Sequence, residues 1–124
     1  MADLLADSYA FFEHVGGNPR YQRVFHERDV VTTAMNVLEV YHVLRRQLAP
    51  EVALKHAQAC LSYVTDVPRE VALAAAEFKE DMVTRKRNCS YIDAWGYEAA
   101  RALGRKFLTG DRAFEGIAHV EFLK

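Results

Sequence analysis

Short apolar runs alternate with longer amphipathic ones along this chain. Leu4–Ala6 reads as a short strand ended by the polar pair Asp7-Ser8, and Tyr9–His14 as a helical turn broken by Gly16-Gly17-Asn18-Pro19. Arg20–Glu27 reads as a second short helix. Val30–Thr33 is β-branched throughout and reads as a buried strand. From Ala34 to Leu48 the positions Ala34, Val37, Leu38, Tyr41, Leu44 and Leu48 recur at helical spacing. Pro50 stops that helix and opens the next, to about Tyr63, because proline fits a first helical turn and not an interior. Val64–Val67 is a candidate third strand, and Pro68 opens a helix to about Arg85. Tyr91–Leu103 is helical up to Gly104, a helix-stop residue. Lys106–Thr109 reads as a strand, Asp111–Glu115 as a short helical turn and His119–Leu123 as a last strand. Strands separated by helices predict one α/β domain over residues 1–124, a three-layer α/β/α sandwich around a mostly parallel sheet. Ligands of such sheets gather beyond the carboxyl ends of the strands, where Asp7 and Asp111 fall.

Composition narrows the class. At 124 residues the chain suits one core, and 51% hydrophobic with 27% charged residues is the balance of a soluble globular protein. A net charge of -1 gives no global basic field, so any nucleic-acid contact must come from a local patch. The two cysteines, Cys60 and Cys89, lack metal-like spacing and the density of a secreted scaffold, so reduced thiols are expected. No apolar run approaches a membrane span and no basic leader precedes one, which makes the expected location cytoplasmic.

Four acids interrupt or end apolar runs: Asp7 in LLADSYAFF, Glu39 in AMNVLEVYHVL, Asp93 in SYIDAWGYEAA and Asp111 in FLTGDRAF. An ionised carboxylate removed from water costs several kcal/mol unless compensated. Arg112, beside Asp111, is the exception in flanks that otherwise hold almost no Lys or Arg. Each acid has a structural alternative. Asp7 can cap a helix, Thr-Gly-Asp can be turn chemistry at Asp111, and a helix dipole favours Asp93 near a helix start. Glu39 is harder to explain so, since Met35 and Asn36 precede it by one turn and His42 and Val43 follow. Taken together on four elements, the acids favour one pocket for a divalent cation. Oxygen-only ligation selects Mg²⁺ or Mn²⁺, which suits phosphodiester hydrolysis.

With those residues in view, the chain resembles the PIN domain family. The resemblance rests on the strand ending in Asp7-Ser8, on VVTTAMNVLEV with Glu39, and on CSYIDAWGYEAARALG with Asp93. KFLTGDRAF with Asp111 and the closing HVEFL complete it, so that it spans essentially the whole chain. It implies a metal-dependent ribonuclease in which Asp7, Glu39, Asp93 and Asp111 hold Mg²⁺ or Mn²⁺. Ser8 and Thr109 match positions where a hydroxyl supports the site. The products implied are a 5′-phosphate and a 3′-hydroxyl. A chain this short is similar to the VapC-type toxins of type II toxin–antitoxin pairs. That likeness implies a homodimer, and an antitoxin segment entering the acidic groove. The alternatives are a stand-alone PIN nuclease without antitoxin, and a non-catalytic RNA- or protein-binding domain.

Arg112 and the connector Arg85-Lys86-Arg87 are candidates for RNA phosphate contacts, with a solvated connector as the simpler reading of the run. Glu39 and His42 form a Glu-x-x-His pair, but a di-iron site needs a second such motif, and the chain has none. Tyr9, Phe11 and Phe12 read as core or dimer contacts, and Cys89 as a small packing residue.

Overall fold

The structure, a computed structural model, describes residues 3–124. Four strands form one sheet in the order β2-β1-β3-β4: β1 (Leu4–Ala6), β2 (Val30–Val31), β3 (Lys106–Thr109) and β4 (Val120–Phe122). Every pairing is parallel, with Leu4 opposite Val30, Leu5 opposite Phe107 and Phe107 opposite Val120. Successive residues of a strand face opposite ways, and the two cores follow that alternation. Leu4, Ala6 and Leu108 pack on one face with Phe11, Tyr21 and Val40. Leu5 and Phe107 pack on the other with Met82, Tyr97 and Phe114. Helices α1 (Ser8–Val15), α2 (Pro19–Glu27), α3 (Ala34–Arg45) and α4 (Pro50–Leu61) supply the first layer, and α5 (Val71–Thr84) and α6 (Tyr91–Ala102) the second. The expected α/β/α sandwich is the observed one.

Three expected elements differ, each for a local reason. The run Val30–Thr33 pairs as a strand only over Val30–Val31, because the Thr33 side chain accepts the Asn36 amide and caps α3. Val64–Val67 makes a single parallel bridge, Thr32 to Val64, and not a strand. Pro68 lacks the N–H that a longer ladder would need. Helix α3 ends at Arg45, and residues 46–48 close it with a tighter turn. Ala49, the residue before Pro50, is extended at φ -57° and ψ 144°, as the proline ring demands.

The buried stripe of α3 also differs from the sequence pattern. It runs Asn36, Val37, Val40 and Leu44, whereas Leu38 is 57% exposed. This rotation leaves Glu39 half-buried at the edge of the stripe instead of sealed inside it.

Candidate metal centre

Asp7 directly follows β1, and its amide continues the ladder by donating to Leu108 O. It is also the N-cap of α1, with Oδ1 accepting the Ala10 amide at 2.9 Å. Asp111 stands two residues past β3 and caps the 3-10 turn Arg112–Phe114, accepting the Ala113 amide at 2.9 Å. Asp93 sits in the first turn of α6 in a capping box with Ser90. The Ser90 hydroxyl accepts the Asp93 amide at 3.0 Å, and Asp93 Oδ2 accepts the Ser90 amide at 3.2 Å. In the sequence, capping and cation binding read as alternatives. In the fold, three of the four acids do cap, and in doing so commit a single oxygen, which holds the carboxylate in a fixed orientation.

The acids feel one another. Asp7 is 2% exposed, and burial lifts its pKa from 3.8 to about 8, with the Asp93 and Asp111 charges adding to the rise and bonds from Thr109 and Ala10 opposing it. Asp93 is raised in the same way, by burial first, against its bonds to Ser90, with Asp111 and Glu39 adding repulsion. Asp93 therefore connects the Asp7–Asp111 pair to Glu39. None of the ion pairs among the described residues involves any of the four acids. Arg112, the basic neighbour in sequence, pairs with Glu115 at 3.2 Å.

Thr109 and Ser8 are both buried. The Thr109 hydroxyl accepts the Asp111 amide at 3.0 Å and holds down the pKa of Asp7, so one side chain acts on two of the acids. Ser8 instead donates to Asn36 O at 3.5 Å and accepts from Asn36 Nδ2 at 3.4 Å. Gly110, between Thr109 and Asp111, packs so tightly that a Cβ there would lie 2.4 Å from Leu123 O and 2.4 Å from Tyr9 Cε1.

Two hollows are relevant, and one of them includes an acid of the site. One, of about 380 Å³, is apolar and lies between Met35, Ala72, Tyr91, Ile92 and Trp95. The other is a groove of about 620 Å³ lined by Lys86, Arg87, Asn88, Asp111 and Arg112. Three of the four basic candidates thus share a groove with Asp111, but they differ in what holds them. Arg87 donates from Nη1 to Ala113 O at 2.9 Å and to Glu115 O at 2.7 Å, bracing the turn that Asp111 caps. Arg85 pairs with Asp81 at 3.4 Å, one turn back on α5. Lys86 is exposed and makes no ion pair.

Among the described residues, no three His, Cys, Asp or Glu side chains stand ready to enclose a metal ion. A hard cation does not require such a cage, since Mg²⁺ keeps several waters and takes one or two carboxylates. The donor set is all oxygen, and Asp7 is a buried acid with no cationic partner. The residues fit a hydrated divalent cation. Sequence reasoning overlooked the buried polar residues beneath the acids, Thr32, Thr33 and Asn36. The signal was available: three polar residues within six positions of an otherwise apolar stretch.

The family model of the PIN domain matches residues 5–120, and the chain belongs to that family. Among curated protein sequences none matches it. Among solved structures it is similar to the DNA-bound VapBC complex of Salmonella typhimurium, at TM-score 0.78 and 16% identity over 99% of this chain and 98% of that one. Mycobacterium tuberculosis VapC20, a toxin that cleaves the sarcin–ricin loop, aligns at TM-score 0.73 and 20% identity over 95% and 98%. FitAcB of Neisseria gonorrhoeae aligns at 0.74 and 18% over 98% and 96%. At these identities the likeness establishes the fold.

Proposed function

We propose that the chain is a divalent-metal-dependent endoribonuclease and the toxin of a toxin–antitoxin pair. The observation that carries this reading is Asp7, a carboxylate 2% exposed, repelled by Asp93 and Asp111 and offset by no basic side chain. A site of that kind is a standing cost to the fold unless a cation is its normal occupant. Membership of the PIN family and the likeness to VapC folds support the chemistry and the partner.

Asp7, Asp93 and Asp111 would hold the cation, with Glu39 at the edge nearest Asp93 and Thr109 acting on two of the acids. When bound, Mg²⁺ or Mn²⁺ supplies charge to the phosphodiester oxygens and acidity to water. The chain's own part is positional. Capped carboxylates keep their remaining oxygens aimed, Asp7 gives up its proton as the cation enters, and Lys86 and Arg112 offset phosphate charge along the groove beside Asp111. Water attacks phosphorus in line, leaving a 5′-phosphate and a 3′-hydroxyl. In this reading the protein is a cytoplasmic homodimer, and the antitoxin silences it with a segment laid into the acidic groove. No helix among the described residues is long and apolar enough to cross a membrane.

The test is cleavage of a mixed RNA pool with Mg²⁺ or Mn²⁺, wild type beside Asp7→Asn and Asp93→Asn, with EDTA as control. Cleavage by wild type alone, lost with EDTA, is the expected result. Full activity of Asp93→Asn would overturn the site assignment. No cleavage by metal-replete, partner-free protein would turn the reading toward a non-catalytic binding domain.

A further inference from the structure

We propose that Asn36 is a positioning residue of the carboxylate site, holding in register the three helices that carry Asp7, Glu39 and Asp93. The inference rests on the reading of those acids as a cation site. Asn36 has no exposed surface; it hydrogen-bonds at the start of α3 and to α1, and faces α6 at Gly96. On α3, its own helix, it accepts through Oδ1 from the Thr33 hydroxyl at 2.7 Å, while its amide donates to Thr33 Oγ1 at 3.3 Å. Toward α1, its Nδ2 donates to Ser8 Oγ at 3.4 Å and its carbonyl accepts from the same hydroxyl at 3.5 Å. Toward α6, Asn36 Oδ1 faces Gly96, 3.6 Å from where a Cβ there would stand, while the ring of Phe107 at 2.9 Å is what requires glycine at that position.

The acids hang from these contacts at fixed offsets. Ser8 is the neighbour of Asp7, Glu39 follows Asn36 by three residues on α3, and Gly96 follows Asp93 by three on α6. Residues three apart share a helix face, so a side chain that fixes one end of each spacing fixes the rotation of the acid at the other. Asn36 is also suited to the task in a way an apolar residue is not. A buried amide must satisfy both an acceptor and a donor, and Thr33 and Ser8 together satisfy them in one arrangement. Leucine would fill the space but leave the Ser8 hydroxyl's bond to the backbone carbonyl as the one polar tie from α1 to this position.

The test measures Mn²⁺ binding to the full chain by calorimetry, with folding monitored separately by circular dichroism. Asn36→Leu removes the two side-chain bonds, to Thr33 and Ser8, at similar volume and keeps the two made by the backbone; it is expected to weaken Mn²⁺ about ten-fold, the scale on which groups that orient metal ligands act. Val40→Ala, at an equally buried position on α3 that makes no side-chain hydrogen bond, is the control for stability lost without positioning. It should lower the melting temperature and leave Mn²⁺ affinity within about two-fold of wild type, well short of that ten-fold scale. Thr33→Val and Thr33→Ser give an independent readout should the leucine variant not fold. Valine frees the Asn36 side chain and should weaken Mn²⁺, whereas serine keeps the hydroxyl and should restore it. Unchanged affinity in folded Asn36→Leu or in Thr33→Val would overturn the proposal, as would an equal loss in Val40→Ala. Wild-type protein that binds no Mn²⁺ would instead sink the cation reading itself.

Discussion

The Thr109 hydroxyl opposes the burial-driven rise of the Asp7 pKa, and both residues stand at the carboxyl ends of neighbouring strands, β3 and β1. The same oxygen accepts the Asp111 amide. A single buried hydroxyl thus acts on two acids that repel each other. Without a cation, the geometry is held by neutral donors: Thr109 and the Ala10 amide at Asp7, the Ala113 amide at Asp111, and Ser90 at Asp93. Such a site is organised before any cation arrives, and two of its acids, Asp7 and Asp93, are pushed toward protonation. The two properties belong together, because donors strong enough to hold the frame are still too few to offset burial of Asp7.

Asp7 makes the metal-free protein less stable as pH rises. Burial lifts its pKa from 3.8 to about 8, so between those values the folded state binds the proton that the unfolded chain has lost. Its contribution is therefore fully present below about pH 4 and is lost as pH climbs toward 8, on the order of a few kcal/mol across the window. Asp7→Asn stays neutral and can still accept the Ala10 amide, as asparagine is as good a cap as aspartate. Melting curves in EDTA should show the variant above wild type at pH 8 and the two converging near pH 4. Mn²⁺ should raise the wild-type curve at pH 8 and leave the variant's nearly unmoved. A gap that is constant with pH would contradict the assignment.

Gly110 is glycine because of its neighbours and not its backbone angles. An added Cβ would meet Leu123 O, a carbonyl held in place by the Tyr21 hydroxyl, and the ring of Tyr9. Since Leu123 also donates its amide to Thr109 O, the clash cannot be relieved without parting β3 from β4 or moving the Asp111 turn. Gly110→Ala should cost about 1–3 kcal/mol, the usual range for overpacking. Mn²⁺ affinity measured below the melting transition should fall as well. Wild-type affinity in a merely destabilised protein would show that Asp111 is not where the strain goes.

Much of this architecture was legible in the chain. Asp7 and Asp111 were placed past strand ends by the alternation of runs alone, and the β1, β3 and α6 boundaries fall within a residue of the pattern. What failed to show were features set by packing between elements. The rotation of α3 put Val40 inward and Leu38 outward, because the stripe is chosen by the sheet it meets and not by the most apolar face available. Asn36 entered only as a neighbour one turn before Glu39 that offers it no ion pair, whereas burial and its bonds to Thr33 and Ser8 make it a hub. Arg87, a candidate phosphate contact in a run read more simply as a solvated connector, donates to two carbonyls that lie far from it in sequence.

That last arrangement separates two roles for Arg87. A residue that braces Ala113 and Glu115 should, when lost, loosen the turn behind Asp111 and lower kcat. A residue that grips phosphate should raise KM and flatten the salt dependence. Arg87→Met keeps the aliphatic stem and removes both bonds to the carbonyls. It is expected to lower the melting temperature and kcat while leaving the salt slope of RNA binding within error of wild type. A slope reduced by about 0.7, the value for one lost single-strand phosphate contact, would assign Arg87 to the substrate.

Lys86 presents the reverse case, a residue kept at some cost to the fold. The Arg87 amide donates to Met82 O and the Lys86 amide to Val83 O, the pair of bonds that closes a helix with its next residue left-handed. Lys86 occupies that left-handed position at φ 59°, where glycine is the unstrained choice and a side chain costs about 1 kcal/mol. No structural bond accounts for lysine there; its side chain is exposed and lines the groove that contains Asp111. Lys86→Gly should therefore stabilise the protein slightly, by up to about 0.5 kcal/mol once the extra freedom of the unfolded chain is counted. The same change should weaken RNA binding and reduce its salt slope by about 0.7. Stability and binding moving in opposite directions is the signature of a strained residue retained for a ligand. If glycine raised stability and left both RNA affinity and its salt dependence unchanged, the groove beside Asp111 would not be the path of the RNA backbone.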